Sequence, residues 1–248
     1  MTASDDTAQS AESALVRRTL EVASPFKDWP PDARQRLTLG ARLKTYPADS
    51  LIMRRGQVAN ALYVIVSGSV ELSAENAEGR RYVIRYAGPS RAFGLLSVMD
   101  GKACPHYYRA HEETTVAVIS RDLLLKVANT NVDLLMSLFR ELTERYRVSL
   151  RQMEEQAFDP LRTRLIRALL VLVETYGIPQ GRGTVIQLRL AQDHLGDLLG
   201  VSRQSINKLI KQLEAEQLIE MHYGRVIVRD LEALRGIAHA EGTGAIVD

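Results

Sequence analysis

The segment from Gln192 to Leu213 most restricts the fold, because it spells two short helices with a fixed corner between them. Leu195, Leu198 and Leu199 recur three and four residues apart and share one face of the first helix. Gly200 stops that helix, since glycine accepts the left-handed conformation a helix C-terminus calls for. Ser202 starts the next one by offering its hydroxyl to a free backbone N–H. In the second helix Ile206, Leu209, Ile210 and Leu213 form the apolar stripe. Ser202, Arg203, Gln204, Ser205, Asn207 and Lys208 are left at the N-terminal end and outer face. A helix that enters a DNA major groove is built this way, with hydrogen-bonding side chains on its first turns. Arg grips guanine O6 and N7 with two donors, and Gln or Asn grips adenine. Ser205 and Lys208 suit base or phosphate contacts. A helical hairpin with a solvated face in any globular domain fits the same pattern, so the rest of the chain has to decide.

Upstream, residues 41–120 carry short apolar strands separated by turn residues. Strands are predicted at 62–66, 70–73, 82–86 and 114–119. Turns fall at Ser67-Gly68, at Asn76-Ala77-Glu78-Gly79 and at Ala87-Gly88-Pro89. This spacing predicts a compact antiparallel sandwich or barrel. Short helices are expected at 31–39 and 121–128, and a long one at 131–156. In the long helix Leu135, Phe139, Leu142, Tyr146, Ser149, Met153 and Gln156 alternate spacings of four and three, which is a heptad seam. Packing against its own domain explains part of it. Sustained over three heptads, it predicts a parallel homodimer with Leu135, Phe139, Leu142, Tyr146 and Met153 at the interface.

Asp159-Pro160 breaks that helix and marks a boundary. A helix at 161–176, a loop at 178–184 and a strand at 185–188 follow. Strands at 218–222 and 225–228 flank Tyr223-Gly224 as a hairpin wing, and a terminal helix covers 230–238. The expected fold class is α+β. A flexible segment at 1–24, rich in Ala, Ser, Asp, Glu and Thr, precedes a β-roll at 25–130. A dimerisation helix at 131–157 and a winged helix-turn-helix at 158–248 complete it.

The net charge is only +2, and from residue 158 onward acidic and basic residues are equal in number. That weighs against nucleic acid unless Arg203, Lys208, Lys211 and Arg225 cluster. No apolar run approaches the ~20 residues of a membrane span. The N-terminus lacks a cationic start followed by an apolar block, so it does not read as a secretory signal. The single cysteine excludes an internal disulfide and four-cysteine metal or iron–sulfur sites within one chain. These features predict a cytoplasmic protein with no membrane partner. No acid/base, nucleophile or metal constellation is present, and the five histidines lack ligand spacing. The chain is read as a non-enzyme with no metal.

A β-roll, a long helix, a break and a winged helix-turn-helix, in that order, resemble the layout of the Crp–Fnr (cyclic-AMP-receptor-like) family of bacterial transcription regulators. Three blocks carry the resemblance. They are Leu62-Tyr63-Val64-Ile65-Val66-Ser67-Gly68-Ser69-Val70, then Gly200-Val201-Ser202-Arg203-Gln204-Ser205-Ile206-Asn207-Lys208, and Leu213-Glu214 through Gln217-Leu218-Ile219. Together they outweigh the neutral charge. The resemblance implies a homodimer on double-stranded DNA, controlled by an effector in the roll. It makes Arg203 the guanine reader. Gln204 stands where many members have Glu, and Lys208 where Arg is common, which turns a bidentate grip into a point charge. Ala191 stands where a Ser or Thr often caps the first helix. In relatives the counterpart of 178–184 touches RNA polymerase.

The resemblance also places a nucleotide cassette from Phe93-Gly94 to Arg109-Ala110. Here the pattern departs. Leu95, followed by Leu96, occupies the position of the ribose-binding Glu, and Cys104 and Pro105 occupy those of the phosphate-binding Arg-Ser pair. A buried phosphate with no arginine is poorly compensated. The chain is therefore expected not to bind cyclic AMP in the usual way; a different ligand, or none, is expected. Lys102 and Arg109 serve an anion only if the cassette is rebuilt. Ser149 occupies the purine-contacting position on the long helix, and reads more simply as a seam residue. Cys104-Pro105-His106 raises haem ligation, against a plain reading of Cys104 as a small buried residue and His106 as an exposed turn residue. Cys104 as a redox thiol has no evident cationic partner. The alternative function is a small-molecule, redox or haem sensor acting on protein partners, with DNA binding lost.

Overall fold

The computed structural model describes residues 3–181 and 183–241. They group into two compact units, one of residues up to 74 with 85–146, the other of 75–84 with residues from 147 onward.

The first unit opens with helix α1 (Ala3–Val22), a 3-10 turn (Phe26–Asp28) and α2 (Pro31–Gly40). Strands β1 (Arg42–Tyr46), β2 (Leu51–Met53), β3 (Ala61–Ser67), β4 (Val70–Glu75), β5 (Arg81–Ala87) and β6 (Ala92–Phe93) follow, then α3 (Leu95–Asp100), β7 (Tyr107–Ala110), β8 (Thr114–Ser120) and α4 (Arg121–Ala128). They form two four-stranded sheets in the orders β1-β8-β3-β6 and β2-β7-β4-β5. The strands read from the sequence are all present. Missed were β1, β2, β6 and β7. They are short, or, like β1, largely exposed and polar although fully paired with β8 from Arg42↔Val118 to Tyr46↔Thr114.

Of the segment expected to be flexible at 1–24, Met1 and Thr2 lie outside the described residues, and from Ala3 it forms helix α1, whose last turns belong to the core. Val16, Leu20 and Ala23 lie on one face and are buried with Phe26, Trp29 and Leu37. The polar composition hid this three-and-four spacing, which alone supplies the burial that orders a helix of modest propensity.

The long helix α5 (Val132–Phe158) starts in this unit. Its core stripe is Leu134 and Leu138, both buried. Trp29 Nε1 donates to Ser137 Oγ at 2.7 Å, and Ser24 Oγ to Glu141 at 2.7 Å.

The second unit holds the tip of the β4–β5 hairpin, the end of α5, α6 (Leu161–Tyr176), β9 (Gly177–Gln180), β10 (Gly183–Ile186), α7 (Gln192–Leu199), α8 (Arg203–Ala215), β11 (Ile219–His222), β12 (Arg225–Val228) and α9 (Leu231–Glu241). Its sheet runs β11-β12-β10-β9. Residues 178–184, expected to be a loop, belong largely to a strand pair, with Thr184 opposite Pro179 and Val185 opposite Ile178. The glycines and proline that suggest a loop serve another purpose. A Cβ on Gly177 would lie 2.3 Å from Val173 O, and one on Gly183 2.6 Å from Val228 O, so only bare backbone fits. Pro179 is tolerated because β9 is an edge strand. No helix among the described residues is long and apolar enough to cross a membrane.

Candidate nucleic-acid interface and sensor cassette

The corner between α7 and α8 is built from glycine and serine. Gly200 has φ +69° and donates its N–H to Gly196 O. Val201 N–H bonds the same carbonyl at 3.0 Å. Gly196 is buried, and a Cβ there would lie 3.0 Å from Val201 O. Gly196 is a functional position not expected from the sequence; its signal is a glycine inside a helix four residues before the corner. Ser202 accepts from Ser205 N–H at 3.2 Å and caps α8. Leu195, Leu199, Ile206, Ile210 and Leu213 are all buried.

This packing leaves Arg203, Gln204 and Lys208 exposed on the first turns of α8. Arg203 sits 3.6 Å from the Asp193 carboxylate, with both side chains largely in solvent, so the pair restrains Arg203 weakly. Ser205 is half-buried against Ser202, their hydroxyls 3.0 Å apart. Asn207 is half-buried and accepts from Gln192 Nε2 at 3.3 Å, so it is engaged with α7. Ala191 gives no side-chain cap. Instead His194 Nδ1 accepts the Ala191 N–H at 3.2 Å, which restores part of the missing function.

Three arginines grip this corner from behind. Arg81, on the β4–β5 hairpin, bonds Asp197 through Nε at 3.1 Å and Nη2 at 2.8 Å. Arg80 donates to Gly200 O at 2.9 Å, and Arg164 on α6 to Leu199 O at 2.7 Å. The sequence reading saw the hairpin only as a turn of the roll. The wing turns through Tyr223 and Gly224, both at positive φ, the pattern of a tight hairpin. Leu190 N–H bonds Gly224 O at 2.8 Å, and the Tyr223 side chain is 91% exposed.

Along α5 the heptad residues divide. Leu135 and Leu142 pack partly on the core cluster. Phe139, Tyr146 and Met153 are 56%, 65% and 65% exposed, with Leu150 also exposed beside them. Ser149 is exposed on the same helix.

In the cassette, Phe93 is buried and stacks on Tyr63 (centroids 5.0 Å) and on Tyr108 (4.9 Å). Gly94 has φ +85° and caps α3, with room for a Cβ only at 3.1 Å from Ala61 O. Leu95 is buried and Leu96 exposed. Cys104 is buried, its thiol donating to His106 O at 3.2 Å. Burial pushes that thiol up, outweighing the hydrogen bonds to His106 and Ser97, so it stays protonated and a poor nucleophile. Pro105 is exposed. His106 is half-buried, not the exposed turn residue expected, and is held below the ordinary histidine range by burial, then by Arg55 and Arg85. Arg109 is not brought to the cassette. It alternates with Tyr108 on β7, so its side chain leaves from the opposite face, where Nη1 donates to Asp49 O at 2.7 Å. Among the described residues no cluster of His, Cys, Asp and Glu suits a metal.

Residues 43–131 match the cyclic nucleotide-binding domain family, and residues 163–237 the Crp-like helix-turn-helix domain family. The cAMP-activated global transcriptional regulator CRP of Haemophilus influenzae is 27% identical over 232 residues, spanning 92% of this chain and 96% of its own. Among solved structures, a CRP-family transcriptional regulator from Thermus thermophilus aligns at 25% identity with a TM-score of 0.67, covering 82% of this chain and 100% of its own. The c-di-GMP responsive global regulator CLP of Xanthomonas campestris has the same fold, with a TM-score of 0.68 at 24% identity, covering 81% and 100%.

Proposed function

The chain belongs to the Crp–Fnr family of transcription regulators, and from that premise we propose that it acts as a cytoplasmic homodimer reading a palindromic DNA site. Each protomer lays α8 in the major groove, with half-sites about one helical turn, ~34 Å, apart. Arg203 reads guanine, Gln204 reads the neighbouring base through a donor and an acceptor, and Ser202, Ser205 and Lys208 hold the backbone. Asn207 contributes by orienting Gln192 as well as by reaching the groove. The observation that carries this reading is the separation on α8 of a buried apolar stripe from an exposed Arg203-Gln204-Lys208 end. The exposed Phe139, Tyr146, Leu150 and Met153 support pairing of α5 with a second copy, since such a row seldom remains in water. The β9–β10 hairpin is the proposed contact to RNA polymerase.

The roll acts as the sensor, and cyclic AMP in the usual pose is not its ligand. A buried Leu95 and a buried Cys104 offer neither the carboxylate for a ribose nor the guanidinium for a phosphate. Haem is not favoured, because the Cys104 thiol is buried, protonated and committed to the His106 carbonyl.

The test is selection of bound fragments from genomic DNA by the purified protein, without ligand and again with cyclic AMP. Enrichment of the same palindrome in both is expected. A palindrome that emerges only with cyclic AMP refutes the reading of the cassette, and enrichment of nothing under either condition refutes ligand-independent binding.

A further inference from the structure

The described chemistry of the roll leaves one group of side chains without a task. Arg85 projects from β5 and is half-buried, and its Nε is fully covered yet finds no hydrogen-bond acceptor among the described residues. Burial first, then two more guanidiniums, Arg145 on α5 and Arg91 before β6, disfavour its charge, while Tyr108 and one carboxylate, Glu141, favour it. That carboxylate is already committed. Arg145 bonds it at 2.8 Å and Ser24 at 2.7 Å, while Arg145 also donates to Ala92 O at 2.9 Å. Burial pushes the Glu141 carboxyl up, but Arg145, Ser24 and Arg91 together outweigh it and hold it ionised. His106 adds no balancing charge, and its Nδ1 is likewise covered and without a partner.

The covered Nε of Arg85, beside two like charges, costs stability, and the one carboxylate that favours its charge, Glu141, is shared with Arg145 and Ser24. Arginine forks of this kind are matched by the two or three oxygens of a carboxylate or phosphate. Tyr63, Phe93 and Tyr108 stack on one another, and Phe93 directly follows Ala92, whose carbonyl Arg145 holds, so an apolar surface suited to the body of a small organic molecule adjoins Arg145.

We propose that Arg85, with Arg145 and Arg91, binds the anionic group of the molecule this protein senses, a carboxylate or a phosphate, in place of the altered cassette at Leu95 and Cys104. The proposal rests on the roll being the sensor. It relocates the cation from the β7 side, where Arg109 is tied to Asp49, to β5 and α5.

The experiment compares the melting temperature of the full chain with that of Arg85→Met and of the exposed Arg91→Gln, in sodium chloride and after replacement by sodium phosphate or sodium benzoate at fixed ionic strength. General salt effects raise all proteins together, so the difference between variants is what is read. In chloride, Arg85→Met is expected to melt higher than the parent, by about 2–4 °C, because an unmatched buried charge is gone. One of the two anions should then raise the parent more than either variant. A phosphate response points to a phosphorylated ligand, a benzoate response to a carboxylic acid. If Arg85→Met melts lower in chloride, the arginine is structural and the proposal fails. It fails too if parent and both variants respond equally to both anions. Neither failure touches DNA reading by α8, which fragment selection tests separately.

Discussion

The helix-turn-helix and the roll cassette solve opposite problems. In α7 and α8 the residues that pack and the residues proposed to read DNA are different side chains on one short segment. Ile206, Ile210 and Leu213 are buried, while Arg203, Gln204 and Lys208, interleaved with them, face water. In the cassette the same side chains have to do both. Phe93 and Tyr108 are core residues and also the wall beside the arginines, and Arg85 is covered by the fold it burdens. A reader built from contiguous residues separates stability from function. The anion site proposed on β5, β7 and α5 couples them.

Substitutions on α8 test the first half of that contrast, and the largest effect is on stability. Ile206→Ala removes a fully buried side chain and is expected to cost about 2–5 kcal/mol. Urea denaturation followed by circular dichroism reads the loss. Specific DNA binding should fall only in proportion to the unfolded fraction, and temperature or ligand conditions that restore folding should restore it. A binding loss in protein that is still fully folded would show that packing and reading are not separable here.

Arg203→Ala is the converse and the next largest. Its side chain is 68% exposed and its ion pair with Asp193 is loose, so stability should change by less than about 0.5 kcal/mol. Affinity for the selected palindrome should fall by about 10–100-fold, the equivalent of one bidentate guanine contact of about 1–3 kcal/mol. Non-specific binding in competition with bulk DNA should change much less. An equal fall on both DNAs would make Arg203 a phosphate contact and pass the role of reader to Gln204.

The same contrast explains what was legible from the residues alone. Gly200, Ser202 and the Leu195–Leu199 spacing act within one turn of themselves, and α7, the corner and α8 stand where those local rules put them. Helix α6 and the strands from β3 to β5 were legible for the same reason. Helix α1 was not, because only Val16 and Leu20 of its residues join the core cluster and its composition is polar. The β9–β10 hairpin was not, because Gly183 acts through a backbone distant in sequence, at Val228, while Gly177 closes the last turn of α6 at Val173. For the cassette, the sequence told which groups are absent, at Leu95, Cys104 and Pro105. It had no means of telling that Arg145, 60 positions on, disfavours the charge of Arg85, since neither lies in a motif. Arg109, expected to serve an anion only in a rebuilt cassette, is turned away by strand alternation and bonds Asp49 O.

The smallest predicted effect tests whether that long-range assembly exists. His106 is held below the ordinary histidine range first by burial, then by Arg55 and by Arg85. A group whose folded value is depressed binds fewer protons folded than unfolded. It therefore leaves stability intact above the ordinary histidine range and erodes it as the pH falls through that range toward the folded value. Replacing Arg85 by Met removes one of the three causes and leaves the largest. The His106 titration, followed by NMR of its ring protons, should move upward but remain below that of an exposed histidine, and the acid-side loss of stability, which still begins in the ordinary histidine range, should be smaller in total. If Arg85→Met leaves the His106 titration where it was, Arg85 does not face it, and coupling between packing and sensing in the roll loses its physical basis. If the titration rises fully to the exposed value, the substitution has opened the pocket to water, and burial itself depended on Arg85. An upward shift that stops short is the outcome expected of a cation cluster seated inside an intact wall of Tyr63, Phe93 and Tyr108.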